Sequence, residues 1–117
     1  MELDLTDIQK RLFTLIPTGV DTISPTFDYT KGNAVQIRAG DSVSDGIINN
    51  DVSLEVRICG LTKNKITIQT KATDLDKILN QTTIDYYWIV RNNVYYSSYY
   101  DGDKFNVVLQ YTIKKYW

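Results

Sequence analysis

Strict alternation is the feature that most limits what this chain can fold into. In "DVSLEVRIC" (51–59), Val52, Leu54, Val56 and Ile58 are apolar, and Ser53, Glu55, Arg57 and Cys59 fall between them. In "KFNVVLQYTIKK" (104–115), Phe105, Val107, Leu109, Tyr111 and Ile113 alternate with Asn106, Gln110, Thr112 and Lys114, with Val108 the exception. Period two puts each set on its own face of a strand. A strand apolar on one side only belongs to an antiparallel sheet packed on one face. "AVQIRAG" (34–40) repeats the pattern, with Val35, Ile37 and Ala39 on one side and Gln36 and Arg38 on the other.

Two segments carry a helical period instead. In "LTDIQKRLFTLI" (5–16), Ile8, Leu12, Leu15 and Ile16 form a stripe with Phe13 beside it. Thr6 and Gln9 have the spacing of a capping box, and Pro17 and Gly19 stop the helix. In "NKITIQTKATDLDKILN" (64–80), Ile68, Ala72, Leu75 and Leu79 follow 3.6-residue spacing, with Ile78 adjacent. Segment 20–33 is an irregular or short-strand connection, because Pro25 argues against a central strand. Residues 86–91 and 94–99 flank Asn92-Asn93, which predicts two strands joined by a tight hairpin turn. "DGD" (101–103) makes the next turn, and Gly60 ends the strand before it.

The predicted order is α-β-β-α-β-β-β within a single domain, 1–117. It implies an α+β two-layer sandwich: a mostly antiparallel sheet with two helices on its apolar face. The polar face, carrying Gln36, Arg38, Glu55, Arg57, Gln110 and Lys114, is left to water or a partner. The polar segment 40–51 is expected to be a mobile loop.

Composition restricts the chemistry. The chain holds no histidine and one cysteine, so neither a zinc site nor a Cys–His nucleophile can be built in cis. No Gly-rich phosphate loop precedes either helix. Asp41, Asp45 and Gly46 match three places of a calcium loop, but Val43 and Val52 stand where two ligands belong. Asp101 and Asp103 bracket Gly102 as turn residues do, and Asn80-Gln81-Thr82 matches a glycosylation triplet by chance. Arg57 points the same way as Cys59, which is expected to be a plain, partly buried thiol. No catalytic site, cofactor or metal is predicted. The formal charge of −1 without a Lys/Arg block gives no source for sequence-specific nucleic-acid binding. The acidic first residues do not form a secretory leader, and no apolar run is long enough to cross a bilayer, which predicts an intracellular product.

The tyrosines then need an account. Six of nine fall between Tyr86 and Tyr100, with Trp88 among them. Between Ile84 and Gly102 the only cation is Arg91, a poor match for stacking on single-stranded nucleic acid. Alternation divides the rings between two faces, so some are core and the rest are surface. Tyr and Trp are enriched where proteins meet. The contact candidates are therefore Tyr87, Tyr95, Tyr96, Tyr99 and Tyr100, with Arg38 and Arg57 on the polar sheet face and Asp41 and Asp45 in the loop. Core plus an exposed hairpin is the competing account.

The layout resembles that of the tail-terminator, or tail-completion, proteins of long-tailed bacteriophages, a family of minor capsid proteins. The resemblance runs through "DIQKRLFTLIP", "AVQIRAG", "VSLEVRICG" leading into "NKITIQTKATDLDKILN", and "YYWIVRNNVYYSSYYDGDKFNVVLQYTIKKY". It implies a structural protein of the virion, made in the host cytoplasm and placed at the head–tail junction. It implies a homo-hexameric ring that caps the tail tube protein and offers a surface to the head connector protein. It implies no catalysis and no membrane. Phage head-closure and connector subunits share this size and composition and remain an alternative. A monomeric module that captures a peptide on its sheet edge is another, and a small enzyme ranks last.

Overall fold

The computed structural model describes residues 5–20, 22–40, 52–84 and 87–115. Its elements are α1 (Leu5–Leu15), β1 (Gly19–Val20), β2 (Ala34–Ala39), β3 (Val52–Leu61), a 3-10 turn (Thr62–Asn64), α2 (Lys65–Leu79), β4 (Thr83–Ile84), β5 (Tyr87–Asp101) and β6 (Lys104–Lys115). They form a mixed α+β fold with one sheet in the order β1-β2-β3-β6-β5-β4. Only β1–β2 is parallel; every other pair is antiparallel.

Register explains the core. Ile37 lies opposite Val56, and Val56 opposite Leu109; Leu54 lies opposite Tyr111, and Ile113 between Val52 and Ile89. All belong to one buried cluster, which Leu12 of α1, Ile16 just after it, and Ile68, Ala72, Leu75 and Leu79 of α2 complete. Both helices therefore cover the same sheet face. Burying each large aliphatic side chain contributes roughly 1.5–3 kcal/mol, so the α2 stripe holds that helix despite its β-branched first turns.

A carboxylate is enclosed in the same layer. Asp76 of α2 is 8% exposed. Its Oδ1 accepts from the Tyr111 hydroxyl at 2.7 Å and from Arg91 Nε at 3.2 Å, and its Oδ2 accepts from Arg91 Nη2. Burial alone would raise the Asp76 pKa, but the Arg91 and Tyr111 bonds outweigh it and hold it below the ordinary value. Burial, and then the bond to Asp76, push the Tyr111 phenol well above its own.

Three expectations are corrected. Gly60 does not end its strand: β3 runs on to Leu61, with Gly60 opposite Phe105. A Cβ there would stand 2.0 Å from Asn33 Oδ1 and 2.9 Å from Ile68 Cδ1, so this glycine marks a close approach. Asn92-Asn93 is not a hairpin turn. β5 is continuous from Tyr87 to Asp101, and the Asn pair lies in a bulge between Arg91 and Tyr96. Two short strands, β1 and β4, also add to the predicted order. The hairpin at Asp101–Lys104 has two loop residues. Gly102, at φ +60, takes the first loop position of a type II′ turn.

The second sheet face is not left wholly to water. Ile23 and Thr22 border one depression with Gln36, Arg57 and Val108, and the Tyr29 ring holds the Lys104 ammonium 5.0 Å from its centre. Cys59 is fully buried there rather than partly. Burial and a hydrogen bond with Cys59 push the Tyr29 hydroxyl up to about 12. Connection 22–33 thus crosses the face opposite the helices and buries Gln36, Asn106 and Val108.

Candidate interaction surface

The bulge decides where the tyrosines go. From Arg91 to Tyr96 the chain advances five positions on β5 but only two on β6, from Tyr111 to Leu109. The three extra residues are an odd number, so the alternation of faces reverses across the bulge. Tyr96, Ser98 and Tyr100 lie opposite Leu109, Val107 and Phe105, on the helix face. Ser97 and Tyr99 lie opposite Val108 and Asn106, on the other.

Each tyrosine has a separate environment. Tyr95 is half-buried against the core, with the Arg91 guanidinium carbon 4.3 Å from its ring centre. Tyr96 borders a groove beside α2 with Thr73, Asp76 and Lys77. The Tyr100 hydroxyl accepts from Lys65 Nζ at 2.9 Å, and its ring packs on Phe105 at 5.2 Å. On the opposite face, the Tyr99 hydroxyl accepts from Arg57 Nη1 at 3.3 Å. The backbone of Tyr87 pairs with Ile84 and Lys115; its side chain, like Asp41, Asp45 and segment 41–51, lies outside the described residues.

These rings border one long edge. β4 pairs only with Tyr87 and Trp88, so among the described residues no strand flanks β5 from 90 to 101. Asp101 and Lys104 close a two-residue loop and form a hydrogen-bonded pair, so by alternation Tyr100, Ser98 and Tyr96 turn their backbone N–H and C=O outward. Exposure along this edge is 72% at Val94, 40% at Tyr96, 42% at Tyr99 and 58% at Tyr100. From Asn92 to Tyr100 there is no charge and no proline. Edge strands are ordinarily blunted by Lys, Pro or a bulge. Here the bulge precedes the exposed segment and does not interrupt it.

Three of the sequence candidates converge on the other face. Arg38, Arg57 and Tyr99 border a depression of about 390 Å³, together with Gln36 and Glu55. Arg38 and Glu55 are cross-strand partners. Burial works against the Arg57 charge, and the Tyr99 hydroxyl together with Cys59 and Tyr29 more than offsets it. Sequence reasoning missed Val94 as a surface residue, because the bulge that holds it follows only from the pairing of Tyr96 with Leu109. It also missed Trp88 and Gln81, where the indole N–H donates to the amide oxygen at 3.0 Å. Gln81 sits at φ 69, a conformation usually left to glycine, and its backbone N–H donates to Ile89 O at 2.9 Å.

Among the described residues no group of His, Cys, Asp and Glu is arranged to hold a metal ion, and no helix is long and apolar enough to cross a membrane. No protein-family model and no curated protein matches the chain.

Proposed function

We propose that the protein is a structural subunit that joins copies of itself into a ring through the outer edge of β5. Its place is the end of a bacteriophage tail tube, facing the head connector, as the resemblance to tail-terminator proteins implies. The role is mechanical, and no substrate is turned over. The observation that carries this reading is the uncharged, tyrosine-bordered edge from 96 to 100, whose outward backbone groups have no described partner.

Backbone pairing gives such a contact its affinity, and the flanking rings add area at low entropy cost. A ring requires a heterologous contact, in which one surface meets a different one on the next copy. The β5–β4 side and the β1–β2 side are the two ends of the sheet. Joining them carries the sheet from subunit to subunit.

Electron microscopy of the purified protein, alone and mixed with tail tubes, tests the reading. Rings, or density capping the tube ends, support it. Particles that form neither would sink it. The same edge favours a second reading, a monomeric module that accepts a peptide strand. That reading predicts a monomer under all conditions and one-to-one capture of a different polypeptide. A head-closure or connector role predicts rings that bind the head vertex and leave tube ends bare.

A further inference from the structure

We propose that the depression between β2, β3, β6 and β5 is a binding site for a single organic carboxylate, with Arg57 and Tyr99 as its donors. The proposal does not rest on ring formation. Arg57 lies between Gln36 on β2 and Val108 on β6, neither of which carries charge. No described carboxylate forms an ion pair with it. Its guanidinium has five N–H donors. One goes to the Tyr99 oxygen at 3.3 Å, and Nε is enclosed without a partner.

A half-buried cation without a counter-ion is costly, and an anion placed against it recovers that cost. The Tyr99 oxygen accepts from Arg57, so its own proton is turned away from Arg57 and can donate to a ligand. Thr22 also borders the depression, and Ile23 and Val108 supply apolar surface for an alkyl stem.

Charge selects the class. Arg57 brings one positive charge with no described ion pair, and Glu55 borders the same depression. A monoanion is matched there, whereas a phosphate dianion brings excess charge next to Glu55. A volume of about 390 Å³ suits a short-chain acid or one acidic side chain. Both sources present the same carboxylate on a short apolar stem.

The test is an NMR titration of the full chain, following the backbone amide resonances of Gln36, Tyr99 and Val108, which border the depression and persist in every variant. The probes are butyrate, inorganic phosphate and the blocked peptide acetyl-Gly-Glu-Gly-amide. Saturable binding of butyrate or the peptide, with phosphate weaker, is the expected result. The peptide binding at least about tenfold tighter than butyrate assigns the ligand to a polypeptide, and the reverse order to a free acid. Arg57→Gln abolishes the saturable response. Tyr99→Phe, at an exposed position that leaves the fold intact, weakens it about tenfold. A linear response to all three probes overturns the proposal, as does affinity unchanged in Tyr99→Phe.

Discussion

The Tyr111 hydroxyl donates to Oδ1 of Asp76 at 2.7 Å, joining the central strand β6 to helix α2 inside the core. Arg91 of β5 completes the contact from the neighbouring strand. One carboxylate therefore ties two strands to the helix that covers them. Removing either Tyr111 or Arg91 leaves part of a buried anion unpaired, which is where the cost of breaking such a network arises.

Tyr111→Phe keeps the ring and removes one donor. It is expected to lower stability by about 1–3 kcal/mol. Asp76→Ala costs more, because the Tyr111 hydroxyl is then buried without an acceptor. Urea unfolding monitored by tryptophan fluorescence measures both.

Acid tests the same contact with a definite sign. Asp76 has a lower pKa in the fold than its ordinary 3.8. The contact's contribution is complete above that unfolded-state value and is lost as pH falls through the lower folded one. Below about pH 4 the wild type therefore loses stability more steeply than Asp76→Asn, which has no carboxylate to protonate there. Urea midpoints measured at several acidic pH values compare the two slopes; equal slopes contradict the assignment.

The alternating segments show how much of the fold is legible in sequence. In β3 and β6 the alternating positions Val52, Leu54, Val56, Ile58, Phe105, Val107, Leu109, Tyr111 and Ile113 all fall on the buried face, because a period of two leaves a half-buried strand no other choice. α2 was legible for the same reason at its own period. The bulge was not. Asn92-Asn93 has the local chemistry of a tight turn, and only the pairing of Tyr96 with Leu109 makes it an interruption of one strand. That long-range pairing sets the faces of Tyr96, Tyr99 and Tyr100, so the site was legible in its residue types and not in their grouping. Gly60 is a similar case: nothing local separates a strand end from a close approach by Asn33 and Ile68.

Gly60→Ala tests that distinction. The added methyl meets Asn33 and Ile68 and forces them to move. Overpacking of this kind costs roughly 1–3 kcal/mol. A thermal or urea midpoint equal to the wild type's contradicts it.

Core and edge respond differently to truncation. Leu109→Ala removes a buried side chain between β3 and β5, at an expected cost of about 2–5 kcal/mol. Tyr96→Ala, at the exposed edge, changes folding stability little, within about 1 kcal/mol, and acts on assembly. Unfolding curves combined with sedimentation of the two variants separate the effects.

Hydrogen exchange at the β5 edge tests the central claim most directly. The backbone amides of Tyr96, Ser98 and Tyr100, turned outward from β6, are followed in dilute protein and in assemblies formed at high concentration or on tail tubes. Joining through this edge predicts that all three slow sharply on assembly, and that Ser98→Pro, which removes one outward donor, folds but does not assemble. Assemblies in which these amides exchange as fast as in the dilute protein contradict the account.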